Sequence, residues 1–241
     1  MDPCTVTPTH SLNLDALNQQ FGPAHPKSIL AWCLENLPTG LIQSTAFGAS
    51  GMVILDLLYQ DLNPEPAIPV LFLDTLHHFP ETLQLAEQAQ AHYGLELYTF
   101  RPQDATSRAE FANQYGEQLW ETDLAQFHQL TKVDPLQRGL QTLKVTAWIT
   151  GRRRDQSSTR AAMPIFEYDV QRRLKINPLA NWTYKEVWKY LVGHHVLYNP
   201  LYDQGYTSIG DQPLTTITKV GETERAGRWR GKTRSECGMH I

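Results

Sequence analysis

Apolar runs of strand length alternate along this chain with stretches of helical periodicity, and that alternation predicts the fold. Near the start, Ser11 can cap a helix carrying Leu12, Leu14 and Leu17, and Pro26 opens a second with Ile29, Leu30, Trp32, Cys33 and Leu34. A short apolar strand ends near Ser44. Small residues then turn the chain, and from Gly51 the positions Val53, Ile54, Leu57 and Leu58 recur at helical spacing. Ala67 to Leu73 is a continuous apolar run, as expected of a strand covered on both faces, and it ends in Asp74-Thr75. A helix from Pro80 to about Tyr93 and a strand from Leu95 to Phe100 come next. The polar stretch from Ser107 to Leu130 is predicted helical, with Lys132-Val133-Asp134-Pro135-Leu136 as its break. Ala147 to Thr150 reads as a fourth strand, and Phe166 to Asp169 with Leu174 to Ile176 as a strand pair. Thr183-x-x-Glu186 has the form of a capping box and opens a helix through Trp188 and Tyr190 that Gly193 ends.

This order predicts an α/β fold: an open, mostly parallel twisted sheet with helices on both faces. We place that domain at residues 1–215, including the N-terminal helices. From residue 216 the chain is polar and charged with little apolar periodicity, so residues 216–241 are predicted to form a mobile C-terminal tail. No internal repeat or low-complexity block is present.

Charge changes the picture more than composition does. A net charge of −4 argues against a nucleic-acid binder, which needs a broad basic field. The basic residues are instead local, with Arg152, Arg153, Arg154 and Arg160 in one cluster and Arg225, Arg228, Arg230, Lys232 and Arg234 in another. Two basic patches on an acidic chain suit a small, multiply charged anion. The first thirty residues lack a signal-peptide pattern and no apolar run reaches membrane-spanning length, so the expected location is cytoplasmic, with no membrane partner. Three cysteines, Cys4, Cys33 and Cys237, form no Cys-x-x-Cys pair and are too few for a four-cysteine metal site in one chain. Cys33 sits in apolar company and is expected in the core. Cys237 has polar, basic flanks.

The candidate chemistry lies where strands end. Strand, small-residue loop and helix around Ser44-Thr45-Ala46-Phe47-Gly48-Ala49-Ser50-Gly51 aim backbone N–H groups and a helix dipole at one point. That arrangement suits phosphate, or else is only a tight turn; neither GxxxxGK[ST] nor GxGxxG is present. Asp74 and Thr75, beyond the end of a parallel strand, either reach a ribose and its phosphates or, for Asp74, cap the next segment of chain. His77 and His78 are adjacent and rarely would both reach one metal ion, so a packed or solvated pair is expected and no metal site. Gly151-Arg152-Arg153-Arg154-Asp155-Gln156-Ser157 also comes directly after a strand, and its guanidinium forks match phosphate oxygens.

Together these segments resemble the phosphoadenylylsulfate (PAPS) reductases of the adenine-nucleotide α-hydrolase-like superfamily, from about residue 26 to the C-terminus. Thr45 to Gly51 resembles that family's modified phosphate loop, and Leu73-Asp74-Thr75 with Phe79-Pro80-Glu81-Thr82 its second motif. Gly151 to Ser157 resembles its arginine loop, Gly205-Tyr206-Thr207-Ser208-Ile209-Gly210-Asp211 a later motif, and Glu236-Cys237-Gly238-Met239-His240 the terminal catalytic one. The resemblance implies reduction of PAPS to sulfite and adenosine 3′,5′-bisphosphate through an S-sulfonated Cys237. A thioredoxin or glutaredoxin would serve as reductant and transient partner, and the protein would be a homodimer. It further implies that Ser44, Thr45, Ala46, Phe47, Gly48, Ser50, Gly51, Asp74, Thr75, Arg152, Arg153, Asp155, Gln156 and Ser157 bind substrate. Lys132, Arg225 and Arg228 match positions that hold the sulfate and phosphosulfate, and His240 joins Cys237 in the terminal motif. The cluster-bearing adenylylsulfate reductases carry a Cys-Cys pair before the Lys-Val-Asp-Pro-Leu-like segment and a Cys-x-x-Cys after Ser-Ile-Gly. Here Gln129-Leu130-Thr131 and Asp211-Gln212-Pro213-Leu214 stand there, which implies no iron–sulfur cluster and the 3′-phosphorylated substrate. Two other readings of the chain are an ATP pyrophosphatase of the same superfamily and a non-catalytic nucleotide sensor.

Overall fold

The computed structural model describes residues 12–37, 39–231 and Gly238. Helices α1 (Leu14–Phe21) and α2 (Pro26–Asn36) lead into β1 (Leu41–Thr45) and α3 (Ala49–Asp56), which runs on into a π-helical turn, Leu57–Leu62. Next come β2 (Val70–Leu73), α4 (Pro80–Tyr93), β3 (Leu97–Phe100), and the short helices α5 (Arg108–Tyr115), α6 (Leu119–Thr122) and α7 (Leu124–His128). A second π-helical turn, Gln129–Val133, passes directly into α8 (Asp134–Thr142). The remaining elements are β4 (Ala147–Ile149), β5 (Phe166–Tyr168), β6 (Leu174–Ile176) and α9 (Tyr184–Gly193).

The six strands form one sheet in the order β3-β2-β1-β4-β6-β5, all parallel except the edge strand β5, which pairs antiparallel with β6. Side chains alternate between the faces because successive Cβ atoms point to opposite sides. Leu41, Val70, Phe72, Ala147 and Ile149 join the large core beneath α2, α3, α4 and α9. Ile42, Leu71, Leu73 and Trp148 pack on the other face with Leu136 and Leu140 of α8. Both faces are thus covered, and the expected α/β sheet is present. Cys33 is fully buried in the larger core, as its company predicts.

Several local expectations change. Asn13, not Ser11, caps α1, accepting from Ala16 N at 3.1 Å; Ser11 lies outside the described residues. Strand β2 starts at Val70 rather than Ala67, since Pro69 before it has no N–H to give the ladder. The helical stretch after Ser107 is cut at Gly116, whose φ of 97° stops α5. The expected break at 132–136 is instead the start of α8: Pro135 occupies its first turn, where a missing N–H costs nothing. The tail expected from residue 216 is packed through residue 231. Trp229 is 3% exposed among Phe111, Trp120, Phe127 and Leu214. Thr216 N donates to Gly227 O at 2.8 Å, and Trp229 N to Leu214 O at 2.9 Å. One buried indole and these cross-links anchor the segment, and neither produces a periodic pattern.

Candidate active site

The strand order reverses between β1 and β4, and the two loops that leave their C-terminal ends both line one cavity of about 220 Å³. Open α/β sheets place their ligand crevice at such a switch point. The first loop turns sharply after Thr45, whose Oγ1 accepts from Phe47 N at 3.0 Å. Phe47 takes a positive φ of 53°, and its ring packs edge-on to Phe72 with centroids 5.1 Å apart, facing the core. Gly48 then caps α3 without a side chain, and Ala49 N donates to the hydroxyl of Tyr202 at 3.1 Å.

The arginine loop closes against this turn. A Cβ on Gly151 would stand 3.1 Å from Gly51 N and 3.2 Å from Ser50 Cβ, so the two backbones approach closely only because Gly151 has no side chain. Arg153 is 1% exposed. Its Nη1 donates to Ser50 Oγ at 2.6 Å and its Nε to Asp155 Oδ1 at 2.9 Å, while Nη2 pairs with Glu224. Arg152 pairs with Glu167, and its Nε donates to Asn177 Oδ1 at 3.2 Å. Asp155 also ties the loop to α9, accepting from Tyr184 N at 2.6 Å.

Lys132, on the π-helical turn before α8, is held by Asp211 at 2.7 Å, and Thr75 Oγ1 donates to the same carboxylate at 2.7 Å. Burial alone would lift the Asp211 carboxyl, but Lys132 chiefly, with His78 and Arg228, outweighs it and holds it well below its ordinary value. His78, against the Phe72 ring, lines the cavity, and burial lowers its pKa. Arg225 and Arg228 reach the cavity from the 216–231 segment, with both guanidinium groups over Trp229, 5.1 and 4.6 Å from the ring centroid. Arg228 Nη1 donates to Ile209 O at 3.1 Å, and a Cβ on Gly210 would overlap that guanidinium at 2.1 Å. Gly210 thus makes room for a cation.

Of the residues singled out in the sequence, Ser44, Thr45, Ala46, Gly48, Ser50, Gly51, Thr75, Lys132, Arg152, Arg153, Gln156, Arg225 and Arg228 line this cavity. Phe47, Asp74, Asp155 and Ser157 do not. Asp74 accepts from Leu76 N at 3.0 Å and from Arg101 Nε at 2.7 Å, so its carboxylate shapes the turn after β2 and neither reaches the cavity nor caps α4. His77 packs among Phe111, Trp120 and Phe127. Cys237 and His240 lie outside the described residues. Gly238 is described, and a Cβ there would stand 3.7 Å from Val133, the residue after Lys132.

The sequence pattern gave no sign of Tyr202, Glu224, Trp148, Thr150 and His78 as cavity walls, or of Glu167 as the partner of Arg152. Asp211 closes the Gly205–Asp211 motif, but its role as the partner of Lys132 is visible only in three dimensions. Three cations of the cavity are matched by acids from other elements: Lys132 by Asp211, Arg152 by Glu167, Arg153 by Glu224. Such pairing fixes the cations in place before any ligand arrives. Among the described residues no group of three or more His, Cys, Asp or Glu could hold a metal ion, and no helix is long and apolar enough to cross a membrane.

A mostly parallel sheet with a small-residue loop at a helix N-terminus, packed at the switch point against an arginine loop, defines the architecture of the nucleotide-binding α/β proteins. The family model described as the phosphoadenosine phosphosulfate reductase domain matches residues 40–217, and the chain belongs to that family. A probable phosphoadenosine phosphosulfate reductase of Schizosaccharomyces pombe is 44% identical over 96% of this chain and 85% of its own length. An adenosine 5′-phosphosulfate reductase of Salinibacter ruber is 43% identical over 98% of this chain and 92% of its own. The crystal structure of PAPS reductase from Candida auris, a phosphate complex, matches with a TM-score of 0.79 at 37% identity, covering 87% of this chain and 99% of that one.

Proposed function

We propose that this protein reduces PAPS to sulfite and adenosine 3′,5′-bisphosphate, with Cys237 as nucleophile and a thioredoxin-type dithiol as reductant. The observation that carries the reading is the convergence of the two phosphate-suited loops with Lys132, Arg225 and Arg228 on one cavity. The Cys237 thiolate attacks the sulfonate sulfur, the sulfur–oxygen bond to the 5′-phosphate breaks, and the bisphosphate leaves with that electron pair. Nucleophile and electrophile are both anionic, so the fixed cations lower the repulsion between them and stabilise charge on the leaving phosphate. A reductant thiolate then attacks the Cys237 sulfur. Sulfite departs with the bonding electrons, reduced by two electrons, and the mixed disulfide is resolved by the reductant's second thiol. Gly238, next to Cys237 in the chain, lies beside Val133 and so near Lys132, which supports this site as the place of attack.

The test is intact-mass analysis after mixing with PAPS in the absence of reductant. One sulfonate per chain is expected, on the peptide containing Cys237, released as sulfite by added thioredoxin; Cys237→Ser should still bind nucleotide and give no adduct. Cys33 is buried and its thiol is pushed up by that burial, so Cys33→Ser should behave as wild type. An adduct on Cys33, or turnover by Cys237→Ser, would remove the basis for the reading.

The Salinibacter relative motivates a second substrate, adenylyl sulfate without the 3′-phosphate. We take the 3′-phosphorylated nucleotide as preferred because the four cluster cysteines are missing. A site that pairs the extra phosphate should favour PAPS by roughly a hundredfold or more in kcat/KM. Equal specificity constants would assign the enzyme to the shorter nucleotide as well.

A further inference from the structure

Tyr202 stands over the N-terminus of α3 in a way that its sequence position does not announce. It lies in the 3-10 turn Pro200–Gln204, far along the chain from the first loop, and its ring is held edge-on by Trp188 with centroids 5.1 Å apart. The hydroxyl oxygen accepts from Ala49 N at 3.1 Å, at the start of α3, and would stand 3.7 Å from a Cβ on Gly48. Tyr202 also lines the cavity beside Ser50 and Arg153. Because the oxygen takes the Ala49 N–H through a lone pair, the phenolic proton remains to be donated, and among the described residues it has no acceptor.

We propose that Tyr202 is a ligand-binding residue: its hydroxyl passes on the donor at the head of α3 and gives its own proton to an anionic oxygen of a phosphate or sulfonate bound in the first loop. The proton is available at neutral pH because burial is the main cause that pushes the phenol up to about 12. The hydrogen bond to Ala49 polarises the O–H further, as in any chain of donors that ends on a charge. A phenylalanine here would keep the Trp188 contact and remove the hydroxyl, which is both the proton donor and the acceptor of the Ala49 N–H. The inference rests on the reading of the cavity as an adenine-nucleotide site.

The experiment is calorimetric titration of the whole protein and its Tyr202→Phe variant with adenosine 3′,5′-bisphosphate, adenosine 3′-monophosphate, adenosine 5′-monophosphate and adenosine. The variant should bind the bisphosphate roughly ten- to a hundredfold more weakly, as for a lost hydrogen bond to a charged group, and adenosine unchanged. Whichever monophosphate shares the loss identifies the phosphate that Tyr202 contacts; if the bisphosphate and both monophosphates bind unchanged, the contact is to the sulfonate, and PAPS alone should show the loss with the Cys237→Ser protein as background. Equal weakening for adenosine and its phosphates, or none for any of them including PAPS, would overturn the role of Tyr202. Failure of the unaltered protein to bind any of these nucleotides would overturn the nucleotide reading itself. Unfolding temperatures without ligand show whether the variant retains its fold.

Discussion

Lys132 and Asp211 show how a single residue is held ready at this site. Both are nearly without solvent, and Asp211 Oδ1 accepts from Lys132 Nζ at 2.9 Å and from Thr75 Oγ1 at 2.7 Å. Removing one partner of a buried pair leaves an uncompensated charge, so Asp211→Ala should lose about 3–5 kcal/mol at neutral pH. The pH dependence comes from the lowered native pKa. The unfolded chain takes up a proton at the ordinary value near 3.8 before the native protein does, so this stability is fully present above that pH and is lost below it. Urea unfolding at several pH values should therefore show the gap between wild type and Asp211→Ala narrowing as pH falls below about 4. A gap independent of pH would mean that the carboxylate charge contributes nothing. Glu224, the partner of Arg153, differs in sign: burial there outweighs Arg153 and raises its carboxyl above the ordinary value.

At the scale of elements, the site is two loops packed backbone against backbone. Gly51 sits in the first turn of α3, and a Cβ there would meet Thr45 Oγ1 at 2.4 Å, the atom that holds the turn by accepting from Phe47 N. Gly51→Ala should therefore strain the loop by about 1–3 kcal/mol, roughly 3–10 °C in unfolding temperature for a chain of this size. Gly48→Ala, which meets only the Tyr202 hydroxyl at 3.7 Å, should shift it little. Equal shifts for the two variants would show that close packing around Gly51 is not what requires a glycine. The arginine loop depends equally on its neighbours: Gln156 accepts from Arg153 N at 3.1 Å, and Asp155 accepts from Tyr184 N, the first residue of α9. Asp155 and Ser157 thus belong to the loop's framework rather than to the cavity wall.

For the whole molecule, the decisive feature is the return of residues 216–231 onto the body. Trp229 anchors that return in the cluster of Phe111, Trp120 and Phe127, and Arg225 and Arg228 rest on its face. These two arginines therefore form part of the cavity without any further closing motion, and their loss should affect nucleotide affinity as well as turnover. Trp229→Ala should cost about 3–5 kcal/mol and misplace both cations at once. Binding of adenosine 3′,5′-bisphosphate should fall further than in Arg225→Ala or Arg228→Ala alone, with Trp229→Phe between wild type and Trp229→Ala. Wild-type affinity in Trp229→Ala would show that the arginines hold their places by other means.

The alternation of strands and helices, the mostly parallel sheet, the two loops at strand ends and the burial of Cys33 are all legible in the chain before it is folded. These rest on local periodicity, turn residues and the motif spacing that carries the family resemblance. That pattern did not determine the start of α8, because Pro135 reads identically as a breaker and as a first-turn residue until the preceding chain is seen to be helical. Nor did it determine that residues 216–231 are packed, since one buried tryptophan leaves no periodic trace. Which polar residues face the cavity is set by the packing of the elements. Asp74 and Tyr202 illustrate the reason: Asp74 lies at a strand end yet is spent on Leu76 and Arg101, whereas Tyr202 comes from a distant turn to meet Ala49. A side chain's partners are set by which elements the sheet brings together, and pairs such as Lys132 with Asp211 and Arg153 with Glu224 span separations over which local pattern carries no information.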